Sequence, residues 1–336
     1  MTSKTSEYSA YLSTVGDLES TIYESLEFIN WKKQIKNDSN VFIKPNFTFP
    51  AYKKGITTSP ELLKQLLAII KNRADEVIIG ESDGGNRSFS ATDAFKGHNM
   101  YEICKDAGVN LVNLSKLPSE FVEEAIQGKR IKCELPKLLL TDVDCLVSVP
   151  VLKVHVMTQV SLSIKNLWGC YPDTMRCLHH KHLDYKLPLI TKLLNPKLVV
   201  VDGTYALDGH GPMFGTPIEM NLIYSANNPV VADSLGAELM GISPRKIKHI
   251  VIAEREGLGT IDLQKVRLSD DLEKFKRKFN IRKTFLDRVS WLLFNSDTLA
   301  KLVMDSSFTP LIYKIAGILR SQEEKEVKNE LKGYYI

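Results

Sequence analysis

Two stretches decide the fold: Val41-Phe42-Ile43-Lys44-Pro45-Asn46 and, further along, Val77-Ile78-Ile79-Gly80-Glu81-Ser82-Asp83-Gly84-Gly85. Each is a short apolar run that breaks off into charged, proline or glycine residues. That is the pattern of a strand buried on both faces whose carboxyl end meets water. Between them Thr58 or Ser59 offers a helix cap and Pro60 suits a first turn. Leu62, Leu63, Leu66, Leu67 and Ile70 then recur at helical spacing. A strand, an amphipathic helix and a second strand in this order predict a parallel pair. The theme returns at Val109–Val112, Cys145–Val149 and Leu198–Val201. The expected fold is therefore α/β: a mostly parallel, doubly wound-like sheet with a C-terminal helical appendage.

Around this core the chain divides into three expected parts. Residues 1–37 read as an extension, loosely ordered to about residue 16, followed by a helix from Asp17 to about Lys33. Residues 38–262 form the α/β domain, ending in helices over Pro229–Met240 and Ser243–Glu256. Residues 263–336 change character, with a charged stretch at 266–283, apolar clusters at 284–320 and a charged, mobile tail from Ser321. The apolar clusters read either as packing back on the main domain or as a peripheral membrane or homo-oligomer contact.

Composition narrows the class. A net charge of +4 over 336 residues, mixed along the chain, argues against a nucleic-acid partner. The five cysteines, at 104, 133, 145, 170 and 177, have no paired spacing and suit a reducing compartment. The N-terminus lacks the apolar core of a signal peptide, and no run is long enough to span a bilayer. The expected location is cytoplasmic.

The strand ends carry the chemistry. In open parallel sheets ligands bind at the carboxyl ends of the strands. Here those ends supply Lys44 and Asn46; Glu81, Asp83, Gly84 and Arg87; Lys153 and His155; and Asp202. The competing reading is that strand ends turn polar simply because loops are solvated. His155 is a candidate general base or metal ligand, because imidazole changes charge near neutrality. Lys165 is a candidate anion clamp or, if desolvated, a base or nucleophile, with Asn166 beside it. Lys153 joins these two as the third candidate catalytic residue. Gly209 and Gly211 would let backbone amides approach an anion, or form a plain surface turn. Asp233 either caps its helix or points into the site. Cys170, Cys177, His179, His180 and His182 crowd thirteen residues without the spacing of a zinc clip, so the metal reading narrows to His155, His179 and His180 with a divalent ion.

The ordered motifs Lys44-Pro45-Asn46, Glu81-Ser82-Asp83-Gly84, Val149-Pro150 through Lys153 and His155, Ser161 with Lys165-Asn166 and Gly169, Asp202-Gly203, Gly209 with Gly211-Pro212 and Gly215, and Asp233 resemble the domain-of-unknown-function 362 family over roughly residues 38–250. Many members of that family carry a ferredoxin-like insertion with closely spaced cysteines. This sequence has none, so no iron–sulfur cluster is expected. The block His155, Ser161, Lys165, Gly169, Pro172 and His179/His180 is more remotely similar to the lactate racemase family, which uses a nickel-pincer nucleotide. That resemblance implies that Lys165 faces a cofactor or substrate phosphate and that His155 is a base. Leu162-Ser163 stand where that family has a glycine pair, which points to a shared scaffold with different chemistry. The expectation is an enzyme of racemase- or epimerase-like acid/base chemistry on a small anionic metabolite. A non-catalytic nucleotide- or metal-binding module and a membrane-associated partner protein are the alternatives.

Overall fold

The computed structural model describes residues 7–334, which hold twelve strands. In chain order these are β1 (Tyr8–Thr14), β2 (Asn40–Lys44), β3 (Glu76–Glu81), β4 (Asn110–Asn113), β5 (Ser119–Ile126), β6 (Lys129–Pro136), β7 (Cys145–Ser148), β8 (Val151–His155), β9 (Gln159–Ser161), β10 (Leu198–Asp208), β11 (Thr216–Ala226) and β12 (Val266–Leu268). The main sheet runs β12-β1-β11-β10-β7-β2-β3-β4, with β8 paired to β10 and β9 to β8. Neighbours from β10 through β4 are parallel. The β11 contacts on both sides and the β8–β9 pair are antiparallel. The expected α/β, mostly parallel architecture is what forms.

Alternation along the strands builds two cores, because successive side chains point to opposite faces. Phe42, Ile78, Leu146, Val199 and Val201 join one apolar cluster, together with the helices Leu183–Leu194 and Pro229–Leu239. Val41, Ile43, Val77, Ile79, Val147 and Val200 join the other, with Leu18–Phe28, Pro60–Lys71 and Met100–Ala107. The stripe expected on Pro60–Lys71 is buried throughout.

Several expectations need correcting. The N-terminal segment is not loose from residue 8 onward. β1 pairs antiparallel with β11 and parallel with β12, so the N-terminal strand and the segment Val266–Leu268 complete one side of the sheet. Residues 1–6 lie outside the described residues. The first helix stops at Phe28, and a separate turn of helix follows at Trp31–Gln34. β10 continues to Asp208 because it has two partners in succession. Leu198 pairs with Val147 of β7, and further on Asp202 pairs with Val151 of β8. Lys153 and His155 therefore sit in a strand rather than a loop. The β5–β6 hairpin turns on Gln127 and Gly128, both with positive φ, the backbone that two-residue hairpin loops require. Its strands alternate too weakly in polarity to stand out in the sequence.

The C-terminal region consists of four helices, Phe285–Phe294, Asp297–Met304, Thr309–Leu319 and Gln322–Leu331. The tail from Ser321 is helical rather than mobile: Ser321 and Glu324 form a capping box, Leu331 is buried, and Glu330 pairs with Lys53. No single described helix is long and apolar enough to cross a membrane. Asp297–Met304 and Thr309–Leu319, bent by 83°, pass that test only as a pair.

Candidate functional site

The carboxyl ends of β2, β3 and β8 and the segment 161–180 enclose a cavity of about 840 Å³. Its core-side wall includes Asn46, Glu81, Gly84, Lys153, His155, Lys165, Asn166, Arg176 and His180. The first three C-terminal helices close it from the other side with Leu286, Val289, Leu293, Phe294, Val303, Met304, Ile312 and Ala316.

Lys44 is fully buried at the end of β2. Its Nζ lies 2.5 Å from Glu81 Oε2 and donates at 2.7 Å to the Pro45 carbonyl. Its charge is already matched, so it is not a free anion clamp. Glu81 is held further by the amides of Phe47 and Ser82. Lys153, also fully buried, donates to Asn46 Oδ1 at 3.0 Å and to the Ile56 carbonyl at 2.7 Å. Asn46 in turn donates to Asn166 Oδ1, and Asn166 donates to the Lys44 carbonyl. A continuous polar network thus fixes the core-side wall.

Lys165 differs from both. It sits in the short helix Ser163–Asn166, whose amides at Ser163 and Ile164 donate to the two carboxylate oxygens of Asp233 at 2.7 and 3.1 Å. Lys165 itself has no hydrogen-bond or ion-pair partner among the described residues. Burial and the nearby Arg176 guanidinium push it down to about 7. Burial, with Lys165 as the next cause, also lowers Lys153 to about 7. An ammonium taken out of water without a partner is costly, which is why the neutral form gains.

His155 is buried, and burial together with Lys165 and Lys153 holds it well below its usual range. The Met157 amide donates to its Nδ1 at 3.1 Å, so the neutral ring carries its proton on Nε2. It is therefore a donor, not the ready base that the sequence suggested. His180 lies between Trp168 and Phe294, with ring centroids 5.9 and 5.7 Å away, and burial pushes it down to about 3.

Other expected site residues serve the scaffold. Asp83 accepts from the Ala91 amide and Asn113, tying β3 to the next helix and β4. Arg87 is exposed on a left-handed turn, away from the cavity wall. Asp202 accepts from the Ser59 amide and from Thr204, fixing the start of the helix Pro60–Lys71. Gly209 takes a positive φ and exchanges backbone hydrogen bonds with Asn280 and Arg282. Gly211 lies where a Cβ would come within 1.8 Å of the Val154 carbonyl oxygen, so its need for glycine is close packing against β8. Asp233 is the buried cap of the Lys165 helix, and burial pushes its carboxyl up to about 8. His179 turns away to Asp173 at 2.7 Å, and no group of three metal-ligating side chains exists among the described residues. The trio His155, His179 and His180 is thus not assembled as a metal site.

Arg176 is the member that sequence reading missed. Its guanidinium donates to the carbonyls of Asp83 at 2.7 Å and Tyr171 at 3.1 Å and faces the same cavity. It lies inside the Cys170–His182 block, where attention fell on sulfur and imidazole. His249 was also missed: it is fully buried, neither ring nitrogen has a partner among the described residues, and burial with Lys165 pushes it to about 3.

The sequence model of a family described as "Domain of unknown function (DUF362)" matches residues 41–238. The chain belongs to this family. A thylakoid-associated protein of Synechocystis sp. is 22% identical over 232 residues, 67% of this chain and 70% of that protein. The likeness to lactate racemase is not shown by these comparisons, and no solved structure matches significantly. The DUF362 region contains the core-side polar residues from Asn46 to His180, while Arg320, Lys328 and Lys332, which also line the cavity, lie beyond it. The apolar helices opposite it, from Leu286 onward, lie beyond that region.

Proposed function

We propose that the cavity binds an organic anion and moves a proton on it, with Lys165 as the proton carrier. The observation that carries this reading is the unpartnered Lys165 amine in a wall rich in cationic groups, poised at about 7. An ammonium partly withdrawn from water and without a counter-ion among the described residues is stabilised by an incoming carboxylate or phosphate. Arg176, Lys153 and the Nε2–H of His155 supply fixed donors for the rest of the anion. In the fraction of complexes in which Lys165 is neutral, its amine takes a proton from an acidic C–H beside the anionic group, and the ammonium so formed, now paired with the anion, returns one to the same carbon. No other reactant is consumed. A base tuned near the working pH contributes on the order of 10²–10⁴ in rate.

Calorimetry with inorganic sulfate, in buffers of different ionisation enthalpy at pH 8, tests the binding half. The expected result is uptake of nearly one proton per sulfate bound, abolished by Lys165→Met. Deuterium incorporation from D2O into small 2-hydroxy and sugar acids, read by proton NMR, tests the chemical half. Binding without proton uptake, or exchange that survives Lys165→Met, would overturn the assignment.

A second reading, contact of residues 284–320 with a membrane surface, is supported by the outward faces of those helices. Phe285 and Ile318 are more than 70% exposed, and Trp291, Leu292 and Phe308 at least half. The association of the Synechocystis relative with thylakoids, which its name states, agrees with it. Co-sedimentation with anionic vesicles should fall severalfold in a Trp291→Asp, Leu292→Asp double variant. Equal sedimentation of both proteins would remove this reading, and concentration-dependent dimers without vesicle binding would replace it with self-association.

A further inference from the structure

The first three C-terminal helices give the cavity a wall that is hydrocarbon apart from Ser290, while Arg320 and, from the last helix, Lys328 add charge at its margin, and this limits what fills it. Val289 and Leu293 come from the first C-terminal helix, Val303 and Met304 from the second, Ile312 and Ala316 from the third. Trp168, Phe47 and Phe89 extend the apolar surface on the core side. At about 30 Å³ for each water-sized group, 840 Å³ holds on the order of 25 to 30 such groups. A hydroxy acid of six to ten non-hydrogen atoms would fill about a third of that space and leave the hydrocarbon wall facing water.

Neither alternative filling suits the walls. Water finds few partners along the first three C-terminal helices, where Ser290 is the one polar side chain among the described lining residues, and a void costs the lining its dispersion contacts. The contact holding the second helix to the core is small: Met304 is buried against Met175 and Cys177, with Leu178, Phe294 and Val303 packed around them. The helices thus stand off the cationic wall instead of closing onto it.

We infer that the ligand is an amphiphile, a phosphate- or carboxylate-headed molecule with a hydrocarbon chain, its head on Lys165 and Arg176 and its chain under Leu293 and Ile312. This rests on the anion-binding reading above and adds the ligand class. The polar wall reads the head by charge, and the C-terminal helices read the tail by burial of apolar area. The two walls come from different parts of the chain, so head and tail selectivity are separable by substitution.

The test is a homologous series of alkyl sulfates from butyl to octyl, used below micelle-forming concentrations beside inorganic sulfate and titrated calorimetrically into the full chain. Burial of one methylene corresponds to about a fourfold gain in affinity. Affinity is expected to rise by about threefold to fourfold per carbon. Leu293→Asp and Ile312→Asp should each flatten that rise while leaving inorganic sulfate binding intact. Leu292→Asp, on the same helix but facing out, should do neither. Octyl phosphate against nonanoate identifies the head, the tighter of the two marking the natural chemistry. If inorganic sulfate binds and the chain adds nothing, the amphiphile inference fails while the anion site stands. Equal affinity for octyltrimethylammonium also defeats it. If no member of the series binds, the anion site itself is wrong.

Discussion

Anion affinity should fall steeply with pH above neutrality, and the slope is fixed by the cavity wall. Burial, with the Arg176 guanidinium adding to it, pushes Lys165 down to about 7. Its folded value lies below that of a free lysine, so its charge is present below pH 7 and lost above it. About half of the amines are charged at pH 7, about one in eleven at pH 8 and about one in a hundred at pH 9. If only this charge matters, sulfate affinity drops by about fiftyfold between pH 7 and 9, a slope near −1 in log affinity. Lys153 is lowered to about 7 as well. If the anion also needs its charge, the slope approaches −2. Sulfate keeps its charge across this range, so the profile reports the protein alone. Calorimetric titration at constant ionic strength in half-unit steps from pH 6 to 9 measures it. In Lys165→Arg the permanently charged guanidinium should remove one unit of slope. A flat wild-type profile from pH 7 to 9 would refute the claim that these lysines are the anion's partners.

Three further outcomes follow from the scaffold. In Gly169→Ala the new Cβ would lie 2.6 Å from Glu81 Oε1 and 2.9 Å from Lys44 Nζ. Prying that buried pair apart should cost about 3 kcal/mol, read as a lower denaturation midpoint with an unchanged m-value. Asp233→Ala, which leaves the Ser163 and Ile164 amides without their acceptor, should cost about 1–3 kcal/mol and weaken sulfate binding, because that short helix carries Lys165. Asp202→Ala should lower stability by a similar amount while sulfate affinity stays within twofold, since Asp202 holds the Ser59 amide outside the cavity.

The fold was legible wherever burial was two-sided. Parallel strands covered on both faces, such as Val41–Ile43 and Val77–Ile79, must be continuous hydrocarbon, and helices between them must be striped, so composition alone marks them. β1 and β12 were invisible because strands at the margin of a sheet need no such run and their partners lie far away in sequence; β5 and β6, which pair with each other in an outlying hairpin, need no such run either. At the site, the sequence placed Asn46, Glu81, Lys153 and His155 at strand ends and Lys165 and Asn166 in the segment after them, and all six line one cavity. It could not rank them. Lys44, Lys153 and Lys165 are the same side chain in the sequence, yet one is ion-paired, one is hydrogen-bonded and one has no partner among the described residues. Whether a charge is spent or available depends on what stands within a few ångströms of it, and those neighbours come from other segments, 37 residues away for Lys44 and Glu81 and 107 for Lys153 and Asn46. By itself the sequence determined the sheet and the chemical types gathered at its edge. Tertiary packing alone decided which ammonium remains unmatched, which imidazole nitrogen bears the proton, and that hydrocarbon from the last helices faces them both.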